Sequence, residues 1–334
     1  MGRFLLRRAL EAVPTLIGVA VVIFVLVRVV PGDPIAMMVP PGASEADIAQ
    51  LRALYGLDRS IPEQFAIWLG QAVQGDFGTS ISLRQNVTEL VLSRLPATLE
   101  LAAIATLFAV LAGGTLAVLG TRWQDRTPET LIDLVNGVAL AVPDFIWALA
   151  LILLFGVLWP LMPISGRLDP RLEFEFVTGF YLAEALLRGE FAILRDLLAH
   201  CVLPALALGL PLAAIITRVL KGSLQQAMVE DYVLMARVKG FGRLTIILRE
   251  ALRNAAIPTL TLTGVQFTFL VGGTVLIEKI FSYPGIGNLA IDAVINRDLP
   301  LIQGLIITFA AIFILVNLSI DLAYAALNPR LRAG

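Results

Sequence analysis

Lys221-Gly222-Ser223 has the lysine and the hydroxyl of a phosphate-binding loop, but the GxxxxGK[ST] spacing around them is missing. Backbone amides cannot cradle a triphosphate without that loop, so the chain itself is not expected to hydrolyse ATP. The single histidine, His200, leaves no multi-histidine metal site. The single cysteine, Cys201, leaves neither a cysteine-built zinc cluster nor an internal disulfide framework. Both read as packing or loop residues. No HExxH and no Gly-x-Ser-x-Gly occurs, and Asp133, Asp144 and Asp321 have no aspartyl-enzyme motif around them. The side chains argue against an enzyme and against a resident cofactor or metal.

Two other groups of residues stand out. The first is the basic stretch 230–258, EDYVLMARVKGFGRLTIILREALRNAAIP, with Arg237, Lys239, Arg243, Arg249 and Arg253 inside it and Arg218 and Lys221 just ahead. It lies between two long apolar runs, and a loop this basic beside a bilayer is held on the cytoplasmic side. Val229, Tyr232, Val233, Ala236 and Gly240 recur at three- and four-residue steps, which predicts a short helix with one small apolar face. Lys239 followed by Gly240 is a helix stop signal. Small residues at 236 and 240 would let another protein's backbone approach, so the helix reads as a dock for a cytoplasmic partner. An amphipathic helix lying on anionic lipid accounts for the same pattern.

The second group is polar. Asn136, Asp144, Gln266 and Asn317 interrupt apolar runs. A charge at the bilayer centre costs about 2.5–3.5 kcal/mol even on the mild insertion scale. Such residues therefore face a bundle interior or a watery path. They are candidates to line a solute pathway, or to make interhelical hydrogen bonds worth about 0.6 kcal/mol each. The glycines at 113–114, 264 and 272–273 likewise suit close helix packing or backbone movement.

These groups must be positioned by membrane helices. The 334 residues are 58% hydrophobic and 15% charged, and the mean hydropathy is +0.85. Such a chain cannot cover itself with polar surface. The pattern predicts an all-α polytopic membrane protein with six spans, near 9–30, 98–119, 131–158, 202–219, 258–277 and 301–323. About 20 residues cross a core of about 30 Å. The first run reads as a retained helix rather than a signal peptide, with Arg28 snorkelling to the outer interface. Pro204 and Pro211 are expected to kink or shift the fourth span. Residues 31–95 form a polar extracytoplasmic subdomain with a capped helix over 44–54 and another over 62–74. A second outer region, 159–200, contains an amphipathic stretch at 177–198. Three domains follow: 1–30, 31–95 and a core over 96–334 with a cytoplasmic loop at 221–257. The Arg/Lys-rich N-terminus, 122–130 loop, 221–255 loop and tail share one side, which places both termini in the cytoplasm.

Ala236-Arg-Val-Lys-Gly240, then Leu248-Arg-Glu-Ala-Leu-Arg-Asn-Ala255 and Pro258, resembles the cytoplasmic coupling loop of ABC-importer permeases. The match is best to the B-type transmembrane subunit of the dipeptide/oligopeptide (nickel) family. In the general form of that loop a Glu stands where this chain has Leu234, and Leu-Pro stands at Leu252-Arg253. YGLDRSIPEQF at 55–65, GDFGTS at 75–80, RLPATLEL at 94–101, EKIFSYPGIG at 278–287 and Asp298-Leu299-Pro300 with Gln303-Gly304 also resemble this family, in order along the chain. So does the tail from Asp321, although Asn328 stands where Asp is usual. The resemblance implies a type I importer permease fold of six transmembrane helices with an extracytoplasmic subdomain between helices 1 and 2. It implies that Asp231, Tyr232, Ala236, Arg237, Lys239 and Gly240 couple to an ATPase. It further implies a second homologous permease subunit, two cytoplasmic ABC ATPase subunits carrying the ATP and Mg, an extracytoplasmic solute-binding protein and a cell inner membrane, with no nucleic acid among the partners. The solute is not implied, since such permeases serve dipeptides, longer peptides, nickel complexes, glutathione or sugars. Two rivals remain: an ion-gradient-driven secondary transporter or channel, and a membrane scaffold that moves nothing.

Overall fold

A computed structural model of the chain describes residues 2–29, 44 and 58–327. The capped helix expected from Ser44 onward lies, Ser44 excepted, outside the described residues, as does the tail with Arg330 and Arg332. Among the described residues the regular structure is helical, with an isolated bridge between Thr79 and Asn86 and a long irregular segment over 159–180. The helices are α1 (Gly2–Val29), α2 (Ile61–Val73), α3 (Val87–Arg122), α4 (Thr127–Ala141), α5 (Asp144–Leu151), α6 (Tyr181–Arg188), α7 (Phe191–Ala227), α8 (Asp231–Val238), α9 (Arg243–Ile246), α10 (Leu252–Ile280), α11 (Ile286–Ile295) and α12 (Leu299–Leu327). Two π-helical turns, Ile152–Leu158 and Ile247–Ala251, extend α5 and join α9 to α10.

The chain divides into two compact units, one of residues 1–95 with 288–318, the other of 96–287 with 319–334. In the first, Phe24 of α1 meets Phe65 and Trp68 of α2 at ring-centroid distances of 5.1 and 5.7 Å. Arg28, near the end of α1, is tied to α2. Its guanidinium donates to Gln64 Oε1 at 2.8 and 3.1 Å and lies over the Phe24 ring. Asp298, fully buried ahead of α12, accepts from Leu301 N as that helix's cap and from Ser80 Oγ and Ser82 N and Oγ at 2.6–2.9 Å. The Asp-Leu-Pro sequence is thus a helix start, with Pro300 in the first turn where no N–H is needed.

In the second unit α7 is the centre. It packs against α10, α4, α5 and α6, and 67% of its most apolar window is buried, against 22% to 33% for the three other long apolar helices. Small residues let neighbours close on it. Thr217 Oγ1 of α7 donates to Gly113 O of α3 at 3.2 Å. Gly113 and Gly264 are packing positions, with Ala213 and Ile320 against them, whereas Gly114, Gly272 and Gly273 face open space. The helix runs through Pro204 and Pro211 as one continuous element, Phe191–Ala227, so neither proline ends it. It also starts earlier than expected, at Phe191. The amphipathic stretch is shared between α6, which stops at left-handed Gly189 (φ 72°), and the first turns of α7.

Among the described residues four helices are long and apolar enough to cross a membrane: Val87–Arg122, Phe191–Ala227, Arg243–Ile280 and Leu299–Ile320. A fifth span exists if Thr127–Ala141 and Asp144–Leu158 are counted as one. That pair corrects the single third span expected over 131–158, because it is bent by 101°. Pro143 lacks the N–H to continue α4 and drives the residue before it out of the α region; Val142 is extended at φ −92°, ψ 122°. The remaining expected span corresponds to α1, 28 residues long, in which Leu10–Leu26 is a shorter apolar stretch.

Candidate functional site

The basic stretch folds into α8, an αL turn and α9, and these are fixed to the ends of three long helices. Val233 and Ala236 of α8 are 0% and 4% exposed. They belong to one apolar cluster with Ala117 of α3, Leu220, Leu224 and Ala227 of α7, Ile246 and Ile247, and Ala251 and Ala255 at the start of α10. Polar ties surround that cluster. Arg237 donates to the carbonyl of Met228 at the end of α7, at 3.1 Å. Arg243 donates to Thr121 O and Gln124 Oε1, just where α3 ends, at 2.8 and 3.1 Å. Each saturates a carbonyl that a helix terminus leaves without an intrahelical partner.

Gly240 closes the helix. Its φ is +82°; its N–H bonds Arg237 O and the N–H of Phe241 bonds Ala236 O, at 2.9 and 3.3 Å. This paired arrangement is the Schellman stop, which asks for a residue that tolerates the left-handed region. A Cβ at 240 would meet nothing within 4 Å. The glycine therefore serves the turn, and the space beside it is open.

The small apolar face expected to receive a partner is turned inward. Ala236 is covered by its own chain, so its size serves internal packing rather than a neighbour's approach. Val229 precedes the helix, which starts at Asp231. What α8 presents outward is the opposite side: Leu234, Met235 and, at 89% exposure, Val238, flanked by exposed Asp231, Tyr232, Arg237 and Lys239. Phe241 and Leu244 extend that apolar row beyond the turn. Sequence reasoning missed Leu234, Met235 and Val238. A signal for them existed: the apolar Ile246, Ile247 and Ala251 follow closely, and they need an apolar surface to cover them.

The four candidate pathway residues are dispersed. Asn136 is buried on α4. Asp144 is not inside a continuous span but begins α5 at the break, where Oδ1 accepts from the N–H of Phe145 at 2.7 Å. Gln266 is half-buried on α10. Asn317 donates back to Phe313 O within α12, at 2.8 Å. Among the described residues no hydrogen bond joins one of these four to another.

Buried polar pairs lie elsewhere in the same unit. Arg167 and Glu100 form an ion pair, each less than 10% exposed, and Arg167 lies over the Tyr181 ring. Glu100 also accepts from Leu182 N at 2.9 Å. The turn 281–287 closes over Glu278, which is fully buried and accepts from Thr98 Oγ1 at 2.6 Å; that hydroxyl in turn accepts from Ile286 N at 2.9 Å. Tyr283 Oη meets Cys201 Sγ at 3.2 Å, and burial holds the phenol well above its ordinary value, so it stays protonated. His200 Nδ1 lies against Asp196 O and Oδ2 of its own helix, which makes both singleton residues packing elements.

Residues 105–333 match the family described as binding-protein-dependent transport system inner membrane component, and residues 1–102 match the corresponding N-terminal family. The chain is 38% identical to the dipeptide transport system permease protein DppB of Escherichia coli K12 over 99% of both chains. It is 38% identical to the di/tripeptide permease DppB of Pseudomonas aeruginosa and 35% identical to the glutathione permease GsiC of Salmonella typhimurium, again over 99% of each. Among solved structures, an inward-facing MetNI methionine ABC transporter chain aligns with a TM-score of 0.54 at 13% identity, covering 72% of this chain and 96% of that one. That likeness speaks to the fold.

Proposed function

The chain belongs to the binding-protein-dependent transport system inner membrane component family, and from that premise we propose that it is a transmembrane subunit of an ATP-driven importer of short peptides or peptide-like solutes. The cargo class rests on the relatives that carry dipeptides, di- and tripeptides and glutathione. Its working partners are a second related permease, two cytoplasmic ATPase subunits that bind ATP and Mg, and an extracytoplasmic solute-binding protein. Both termini and α8 lie on the cytoplasmic side, α1 is the sixth span, and residues 31–95 face outward and contact the binding protein.

The observation that carries the mechanism is the double face of α8. One side is locked into a cluster shared with the ends of α3, α7 and α10; the other leaves Leu234, Met235 and Val238 uncovered between charged residues. An ATPase subunit grips the uncovered side. When ATP draws the two ATPases together, α8 moves as a rigid knob and carries three membrane helices with it. Differential contact in the two states supplies the energy of the switch. Asp231, Tyr232, Arg237 and Lys239 form the charged and polar edge of the grip, Gly240 sets its end, and Ala236 anchors it from beneath. Of the candidate lining residues, Asn136 and Gln266 keep side chains without a partner in their own helix, and Asp144 sits at the bend where a solute path would widen.

The test is Val238→Asp. The site is almost fully exposed, so the free subunit should keep its stability, while an apolar grip would have to bury a carboxylate. Tagged permease carrying this variant should lose co-purification of the ATPase subunits and lose uptake in reconstituted vesicles. Full assembly with wild-type uptake would refute the docking surface.

A further inference from the structure

One charged cluster has no place in the grip or the pathway. Lys221 lies on α7 six residues before its end at Ala227, roughly 9 Å along the axis at 1.5 Å per residue. Its Nζ donates to Asp133 Oδ1 and Oδ2 at 2.6 and 2.7 Å and to Glu129 Oε1 at 2.9 Å, both on α4. One turn further along α7, Gln225 Nε2 donates to the same Glu129 oxygen at 3.1 Å. The second oxygen of Glu129 accepts from the N–H of Asp125 at 2.6 Å and so fixes the α3–α4 turn, where Asp125 itself is left-handed at φ 63°. The lysine and Glu129 are 13% and 14% exposed, and Asp133 is 52% exposed. Gly120 of α3 makes room for the stem, since a Cβ there would fall 2.9 Å from Lys221 Cδ.

The placement matters because α4 is absent from the cluster that holds α8. That cluster takes residues from α3, α7, α9 and the start of α10. Yet α4 carries buried Asn136 and leads directly into the 101° break. A displacement of α8 can reach this bent pair through α7, which packs against both α4 and α5, and on the α4 side the salt-bridged cluster is a charged, directional contact close to the driven end. An ion pair with one carboxylate oxygen tied to a turn adds a directional constraint to the packing between these two helices.

We propose that Lys221, with Glu129 and Asp133, is a strut that transmits the motion of the docked helix from α7 to α4, making Lys221 a positioning residue for transport. This rests on the docking reading above. Lys221→Met keeps most of the stem and removes the charge. The complete assembly with its binding protein, ATPase subunits and a dipeptide is reconstituted, and ATP turnover and uptake are measured together. Lys221→Met should co-purify the ATPase subunits and turn over ATP, while solute moved per ATP falls about 5-fold or more, the low end for a coupling interaction. Asp133→Asn, at a half-exposed carboxylate that the fold tolerates, should show the same split at smaller size. The Lys221→Met, Glu129→Gln, Asp133→Asn triple variant should be no worse than Lys221→Met, as members of one network are not additive. An unchanged solute-to-ATP ratio in both single variants would overturn the strut and leave the docking reading untouched. Parallel loss of co-purification, ATP turnover and uptake would overturn it as well, by placing Lys221 in the shape of the dock. If the wild-type chain fails to hold ATPase subunits, the docking reading itself is what fails.

Discussion

Gly285→Ala tests how the Pro-Gly-x-Gly turn is built. A Cβ at 285 would lie 2.3 Å from Cδ and Oε2 of Glu278 and 2.4 Å from Oε1. Ordinary carbon contacts begin near 3.5 Å, so the carboxylate must retreat by roughly 1 Å. It has little room, for a Cβ at Gly287 would stand only 2.9 Å from Oε2, and Glu278 is 0% exposed. Retreat breaks the 2.6 Å bond from Thr98 Oγ1. A buried hydrogen bond is worth about 0.5–1.5 kcal/mol, and overpacking adds about 1–3 kcal/mol. The sum, roughly 1.5–4.5 kcal/mol, is a large share of a marginal fold's stability. The assay is thermal and denaturant unfolding of the purified chain in detergent. Thr98→Val provides the cross-check: it removes the same bond and leaves Ile286 N without its acceptor, costing about 1–3 kcal/mol. The double variant should fall short of the sum of the two singles, because both act through one carboxylate. Glu278→Asp shortens the side chain by one methylene and should recover part of the Gly285→Ala loss. Gly285→Ala with wild-type unfolding, or strict additivity with Thr98→Val, would refute the reasoning.

Gly240→Ala should cost about 1–2 kcal/mol from the left-handed conformation alone, since the added Cβ meets no atom. Gly240→Asn, which tolerates that region, should cost less, and both are read by uptake and by protease sensitivity of the 238–243 segment. Glu184 provides a pH test. The N–H of Val177, followed by the N–H and hydroxyl of Thr178 and the charge of Arg188, holds its carboxyl below the usual carboxylate value against the opposing pull of burial. A depressed folded-state value contributes stability that is present above the unfolded value, near pH 4.3, and is lost as pH falls through the folded one. Amide exchange over residues 174–188 should therefore speed up as pH drops below about 4 relative to the rest of the chain, once the intrinsic pH dependence is divided out. Glu184→Gln should remove that excess, and an unchanged profile in the variant would count against the assignment.

Much of this was legible without coordinates because it depends on one local property at a time. Long apolar runs must leave water, so spans could be read from composition and length. Lys239-Gly240 announced a helix end because a left-handed stop has few chemistries, and the structure puts the stop there. Pro143 stood inside a third span read as continuous: proline forbids one hydrogen bond and one backbone region, and the structure bends there by 101°. Pro204 and Pro211 show the converse. The same residue type leaves α7 continuous, in a helix that packs against α4, α5, α6 and α10.

The direction in which α8 faces was decided by tertiary structure alone. Val233 and Ala236 do lie on one side of a helix, as their spacing requires, yet whether that side meets a partner or the chain itself depends on residues 246–255 folding back beneath it. Lys221 with Glu129 and Asp133 was hidden for a like reason, as about 90 residues separate charges that meet at 2.6–2.9 Å. Sequence by itself determined the solvent, the helical class and the family resemblance, because burial of apolar surface and backbone satisfaction act on short segments. Only the folded chain decided which side of each segment is inside, because that is settled by pairs of surfaces distant in sequence, and no local pattern records its partner.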